Sequence, residues 1–223
     1  DEWVANRRPA PTSLRQSLIL ALGIVDALAT IHAKRVVHKD IKPSNLLVDA
    51  SLERVVLIDF GVATLVPRAL ERPALEGRFE GTLGYMPPEQ TGRINQPIDY
   101  RSDYYGLGAT LHWLLCGAAP FAELDDQAER IHALLTRAPP SLTELRPELP
   151  PVVAKIVAKL LSPAAEDRYQ GSFGLRADLS RCLATLDPEG TIADFELATL
   201  DPSERLRPPR RLHGRESERA RLL

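Results

Sequence analysis

A chain of 223 residues with 44% hydrophobic and 26% charged residues is long enough to bury one sizeable core and has the composition of an ordinary globular protein. Its formal net charge of −2 supplies no overall field toward nucleic acid or an anionic membrane, so partners have to be argued from local features. Cys116 and Cys182 lack metal-like spacing and read as buried free thiols in a reducing, cytoplasmic setting rather than as a disulfide.

In chain order, residues 1–13 carry Arg7, Arg8, Pro9 and Pro11 and read as a connector. Leu14, Leu18, Leu22, Val25, Leu28, Ile31 and His32 recur at three- and four-residue spacing, which predicts an amphipathic helix ending near Lys34. The apolar window Ile19 to Ile31 is interrupted by Asp26 and is too short for a bilayer, and Asp1-Glu2-Trp3 is no signal peptide. No membrane segment and no export are expected.

His38 to Val48 is a polar loop between two apolar runs, Val36-Val37 and Leu46 to Val48, both read as strand pieces that hold it by its ends. Val55 to Ile58, a β-branched run, feeds into Asp59-Phe60-Gly61. Two polar sites on short strands predict a hairpin carrying one active site. Thr64 to Gln90 shows no period and reads as a long irregular, functional segment. Ser102-Asp103 reads as the cap of a helix from Tyr104 to Cys116 that is apolar on several sides and therefore central. Gly117 and Pro120 stop it. Further helices are predicted at 125–137, 151–161 and 171–186.

Beyond Leu186, Asp187-Pro188, Asp201-Pro202 and Pro208-Pro209 predict a linker over 187–211. Seven arginines between Arg205 and Arg221 are interspersed with Glu204, Glu216 and Glu218 and lack an aromatic platform, so nucleic acid is not the expected partner.

These motifs, in this order, resemble the C-terminal lobe of a eukaryotic-type Ser/Thr protein kinase. HKDIKPSN resembles the catalytic loop, IDFG the metal-binding element, GTLGYMPPE the end of the activation segment, SDYYGLG the start of the central helix, and Glu166 to Arg168 a late structural arginine. The resemblance implies an α+β, mainly helical C-lobe over 14–186 with short β-hairpins at the active site, and phosphate transfer from ATP to protein Ser or Thr in signalling. By resemblance Asp40 is the catalytic base, Lys42 meets the transferred phosphoryl charge, and Thr82 bridges the two. Asn45 and Asp59 are the hard-oxygen ligands of Mg2+. Lys42, Asn45, Leu47, Ile58 and Asp59 face ATP, with Leu47 beneath the adenine and Ile58 lining the same pocket. His38 stacks with the Phe60 position, Asp103 anchors them from below, and Glu89 pairs with Arg168.

The departures are equally specific. Lys39 stands where the family carries an arginine that grips a loop phosphate with its planar fork, and no Ser, Thr or Tyr lies between Leu65 and Gly81. Both point to a segment not switched by phosphorylation there, with Thr64 and Thr82 as flanking threonines. Pro87 replaces the usual alanine. No Gly-rich loop or strand lysine precedes Leu14, so the N-lobe is expected to be missing, leaving this fragment by itself inactive and its N-lobe-facing surface apolar around Leu47. Residues 212–223, beginning Leu212-His213-Gly214-Arg215-Glu216, resemble the entry to an ATPase domain of multidomain bacterial signalling proteins. The expected partners are a protein substrate, the protein's own N-lobe and downstream ATPase or sensor domains. The rival reading is a pseudokinase, scaffold or regulatory module of such an ATPase, against which stand Asp40, Lys42, Asn45 and Asp59.

Overall fold

The computed structural model describes residues 12–49, 54–65 and 83–201. Among them the order is α1 (Leu14–Ala33), β1 (Val36–Val37), β2 (Leu46–Val48), β3 (Val55–Leu57), β4 (Thr64–Leu65), α2 (Arg101–Cys116), α3 (Gln127–Thr136), α4 (Leu142–Leu145), α5 (Pro151–Leu160) and α6 (Ser172–Thr185). The chain is mainly helical with short strands, and apart from the start of α2 the ends of the expected helices lie close to where they were expected. The one-turn α4 carries too few residues to show a period and was not anticipated.

Helix α1 starts where the Ser13 hydroxyl accepts the Gln16 N–H at 3.3 Å, satisfying a donor that every helix start leaves open. By length and composition alone α1 is apolar enough to cross a membrane, which corrects the expectation that this stretch is too short. Its apolar face is spent inside the protein: Leu18, Ala21, Ile24, Val25 and Leu28 are at most 1 % exposed, and the helix packs on α6 and α2.

Helix α2 is the centre of the core, buried on nearly every side. It begins at Arg101, earlier than expected, and Ser102 and Asp103 do not cap it; Asp99 Oδ1 accepts the Arg101 N–H at 2.8 Å instead. The hydroxyl and carboxylate at 102 and 103 are buried and turn to partners elsewhere in the fold, as buried polar groups must. Gly106 permits a close approach: a Cβ there would lie 2.9 Å from the Ile41 carbonyl oxygen, so only glycine lets the loop around Asp40 rest against α2.

Strands β2 and β3 form the expected antiparallel hairpin, with Leu46 opposite Leu57, Leu47 opposite Val56 and Val48 opposite Val55. Strand β1 pairs with β4, Val36 opposite Leu65 and Val37 opposite Thr64, so the segment from Thr64 opens as a strand rather than irregularly. Both cysteines are free thiols, and burial pushes that of Cys182 up to about 12.

Residues 187–201, expected to begin a linker, lie against α5 and α6. Ile192 is buried, Phe195 sits under the Arg181 guanidinium at 4.2 Å, and Lys155 pairs with Asp194. The Ala198 N–H donates to Asp178 Oδ2 at 2.8 Å, and the Gln170 N–H to Asp201 Oδ2 at 2.6 Å. The burial of apolar side chains outweighs the local Asp-Pro punctuation. Ile192→Ala is therefore expected to lower unfolding free energy by about 2–5 kcal/mol in denaturant titration. An unchanged midpoint would mean that the segment contributes nothing to the fold. Residues 1–11 of the expected connector, 202–211 and the possible domain start at 212–223 lie outside the described residues.

Candidate active site

The polar loop between β1 and β2 is built from its hydrogen bonds. Pro43–Asn45 forms one 3₁₀ turn, with proline supplying the fixed φ of a helix start. That turn aims Asn45 back at Asp40: Nδ2 donates to both the Asp40 carbonyl and Asp40 Oδ2, each at 2.9 Å. Lys42 Nζ lies 2.7 Å from the same Oδ2. Asp40 Oδ1 is buried and accepts no hydrogen bond among the described residues. One carboxylate oxygen is thus held by an amide and an ammonium, while the other is an open acceptor.

Asp103, 1 % exposed at the first turn of α2, fixes the loop from beneath. Its Oδ2 accepts the His38 N–H at 2.9 Å and His32 Nε2–H at 2.8 Å, and its Oδ1 accepts the Lys39 N–H at 2.7 Å. Three donors on a desolvated carboxylate make strong, short bonds. They hold Lys39 at φ +67°, a left-handed conformation unusual for a residue with a side chain. His32, read from its spacing as a core-facing position, proves to be a polar partner; its position 71 residues before Asp103 left no local signal. Gln90 also escaped notice: its Nε2 donates to the Lys39 carbonyl at 2.9 Å.

The second polar site is tied to the first through the backbone. The Ile58 N–H donates to the Asn45 carbonyl at 3.0 Å, so Asn45 and Asp59 flank one end of the β2–β3 hairpin. Asp59 is exposed, at φ +62°, with Oδ1 accepting the Gly61 N–H at 3.2 Å. His38 Nε2 donates to the Ile58 carbonyl at 3.1 Å and its ring packs on Phe60 with centroids 4.7 Å apart, the expected stack. The hairpin and the segment after it expose several apolar side chains: Leu47 is 56 % exposed, Val56 41 %, Val62 56 % and Leu65 70 %, and Ile58 is half-buried.

Glu89 and Arg168, expected as a pair, meet in a bidentate ion pair at 2.6 and 2.9 Å with both side chains almost fully buried. Ser102 Oγ donates to Glu89 Oε1 at 2.8 Å, which explains its absence from the helix cap. Asp40, Lys42, Asn45, Leu47, Ile58 and Asp59 gather at one end of the hairpin and its loop. Thr82 lies outside the described residues. Among the described residues there is no cluster of three or more His, Cys, Asp or Glu that could hold a metal ion.

Comparison with known proteins places this geometry in context. The family model described as "Protein kinase domain" matches residues 6–176. Serine/threonine-protein kinase PknF of Mycobacterium tuberculosis is 33% identical over 189 residues, covering 82% of this chain and 38% of the relative. Serine/threonine-protein kinase PknE of the same organism is 32% identical over 183 residues, covering 82% of this chain and 31% of the relative. Hybrid signal transduction histidine kinase G of Dictyostelium discoideum is 41% identical over 107 residues, which is 48% of this chain and 3% of that protein. The chain thus spans well under half the length of these relatives. With a family match over most of its length, the chain belongs to the protein kinase domain family.

Proposed function

We propose that this chain is the C-terminal lobe of an ATP- and Mg2+-dependent serine/threonine protein kinase, completed by an N-lobe and continued by ATPase or sensor domains of a larger, cytoplasmic signalling protein. The observation that carries the reading is Asp40: one carboxylate oxygen is gripped by Asn45 and Lys42 while the other is a buried acceptor without a partner among the described residues. A substrate hydroxyl is the natural donor for it, and accepting that hydrogen bond orients the attacking oxygen and takes its proton. Lys42 sets an ammonium beside the same carboxylate, where it offsets charge developing on the transferred phosphoryl group. By resemblance to the family, Thr82 bridges this pair.

Asn45 spends both Nδ2 protons on Asp40, which leaves its Oδ1, 3.5 Å from the Ser44 hydroxyl, as its acceptor atom, and Asp59 adds an exposed carboxylate. Two hard oxygens without further protein ligands fit Mg2+, which keeps waters and phosphate oxygens in the rest of its octahedron. When bound, that ion supplies charge neutralisation on the β- and γ-phosphates. Leu47 and Ile58 offer an apolar floor suited to an adenine ring. The exposed apolar side chains of Leu47 and Val56, which pair across the hairpin, support an N-lobe as their cover, since exposed apolar surface marks an interaction site.

Radiolabel transfer from ATP to a protein acceptor by the full-length protein tests the reading; its absence in the wild type favours the scaffold alternative. The residues also bear on regulation. With Lys39 in place of the phosphate-gripping arginine and no hydroxyl residue between Leu65 and Gly81, activity is expected to be independent of phosphate in that segment. A phosphopeptide map of active full-length protein should show Thr64 occupancy unrelated to activity, and occupancy that tracks activity would overturn this.

A further inference from the structure

Lys39 and Asp40 share a peptide group, and how that group is turned decides where the Asp40 carboxylate sits. Lys39 holds a left-handed φ of +67°, a conformation a lysine adopts only when its surroundings impose it. On its amino side the Lys39 N–H is fixed to Asp103 Oδ1 at 2.7 Å. On its carboxyl side the carbonyl of the Lys39–Asp40 peptide accepts Gln90 Nε2–H at 2.9 Å. Gln90 has a firm base of its own: it follows Glu89, which is locked by Arg168, and its N–H closes a turn on the Pro87 carbonyl at 3.0 Å. A carboxamide mounted on a buried ion pair therefore reaches across to the strained peptide that carries Asp40.

We propose that Gln90 is a positioning residue for phosphate transfer, pinning the Lys39–Asp40 peptide so that the Asp40 carboxylate faces the substrate hydroxyl. The segment ending at Glu89 thereby reports its docked state to the catalytic loop through one hydrogen bond. Gln90 touches no reacting atom; it acts through Asp40. Because the bond is polar and partly buried rather than a core contact, losing it disturbs the orientation of Asp40 more than the stability of the fold.

The kinetic part rests on the kinase reading, and three variants of the full-length protein test it. Gln90→Met keeps the shape and removes the donor, Gln90→Glu sets an acceptor against the carbonyl, and Gln90→Lys keeps a donor on an unbranched stem of similar reach. Gln90→Met is expected to lower kcat about tenfold, the net worth of one hydrogen bond, with KM for ATP and the melting temperature unchanged. Gln90→Glu should lose more, and Gln90→Lys should recover most of the wild-type rate. Amide hydrogen exchange supplies a readout that needs no activity: in Gln90→Met, the backbone of residues 38–42 should exchange faster while α5 stays protected.

Unchanged kcat in both Met and Glu variants, a rate loss that tracks a falling melting temperature, or failure of lysine to restore the rate overturns the proposal. If the wild type transfers no phosphate, the kinase reading falls, and the exchange experiment still decides the matter: unchanged exchange at residues 38–42 means that Gln90 does not hold the peptide.

Discussion

Arg168→Ala is expected to lower the unfolding free energy by about 3–5 kcal/mol, because it strands a carboxylate inside the protein. All five guanidinium N–H groups of Arg168 are engaged. Nη1 bonds Glu89 Oε1 at 2.6 Å and the Arg101 carbonyl at 3.1 Å, Nη2 bonds Glu89 Oε2 at 2.9 Å and the Pro163 carbonyl at 3.0 Å, and Nε bonds the Ser162 carbonyl at 2.8 Å. Its Cζ also lies over the Tyr105 ring, 5.1 Å from the centroid. Alanine leaves Glu89, which is 1 % exposed, with only the Ser102 hydroxyl among the described residues. Arg168→Lys should lose an intermediate amount, since an ammonium restores the charge but not the two-pronged geometry. A double variant, Glu89→Gln with Arg168→Ala, should be less unstable than the two single losses added together, because it removes the stranded charge. A thermal melt of Arg168→Ala little different from the parent would sink the account of this pair.

Asp40→Ala in the full-length protein is expected to reduce phosphate transfer by about 10²–10⁴-fold, the usual contribution of a positioned general base. Asp40→Asn should fare little better, since an amide accepts a hydrogen bond but does not take the proton. Stability should change little, within about 1.5 kcal/mol, because the side-chain partners of Asp40 are its near neighbours Lys42 and Asn45 and no core contact is lost. On the proposed reading, Asp59→Ala should abolish transfer with a different signature, a loss that rising Mg2+ does not restore, because a proposed ligand is gone. Transfer that persists in Asp40→Ala would return the chain to the scaffold reading.

The loop and hairpin that carry the candidate site were legible because their residues are local in sequence. Asp40, Lys42 and Asn45 lie within one loop, and the 3₁₀ turn that gathers them begins at a proline visible in the sequence. Asp59 at the end of a β-branched run was equally plain, and the hairpin beneath it formed in the register that its apolar residues dictate. Helices α1, α3, α5 and α6 were readable from periodicity, because a helix that buries one face must repeat that face in its sequence. The start of α2 was misplaced for a related reason. Ser102 and Asp103 look like caps when only neighbours are considered, yet both are claimed by distant groups, Glu89 and the His38–Lys39 backbone.

By itself the sequence determined the kinase-type motifs, their order, the departure at Lys39 and the mainly helical class, since each rests on residue types at short spacing. Only the tertiary structure decided which buried charges meet. Glu89 and Arg168 lie 79 residues apart, His32 and Asp103 lie 71, and Gln90 reaches Lys39 across 51. It also decided that residues 187–201 belong against α5 and α6 rather than to a free linker. The physical reason is the same in each case: a desolvated charge or an apolar side chain takes whatever partner the packed core brings to it, and that choice leaves no periodic trace along the chain.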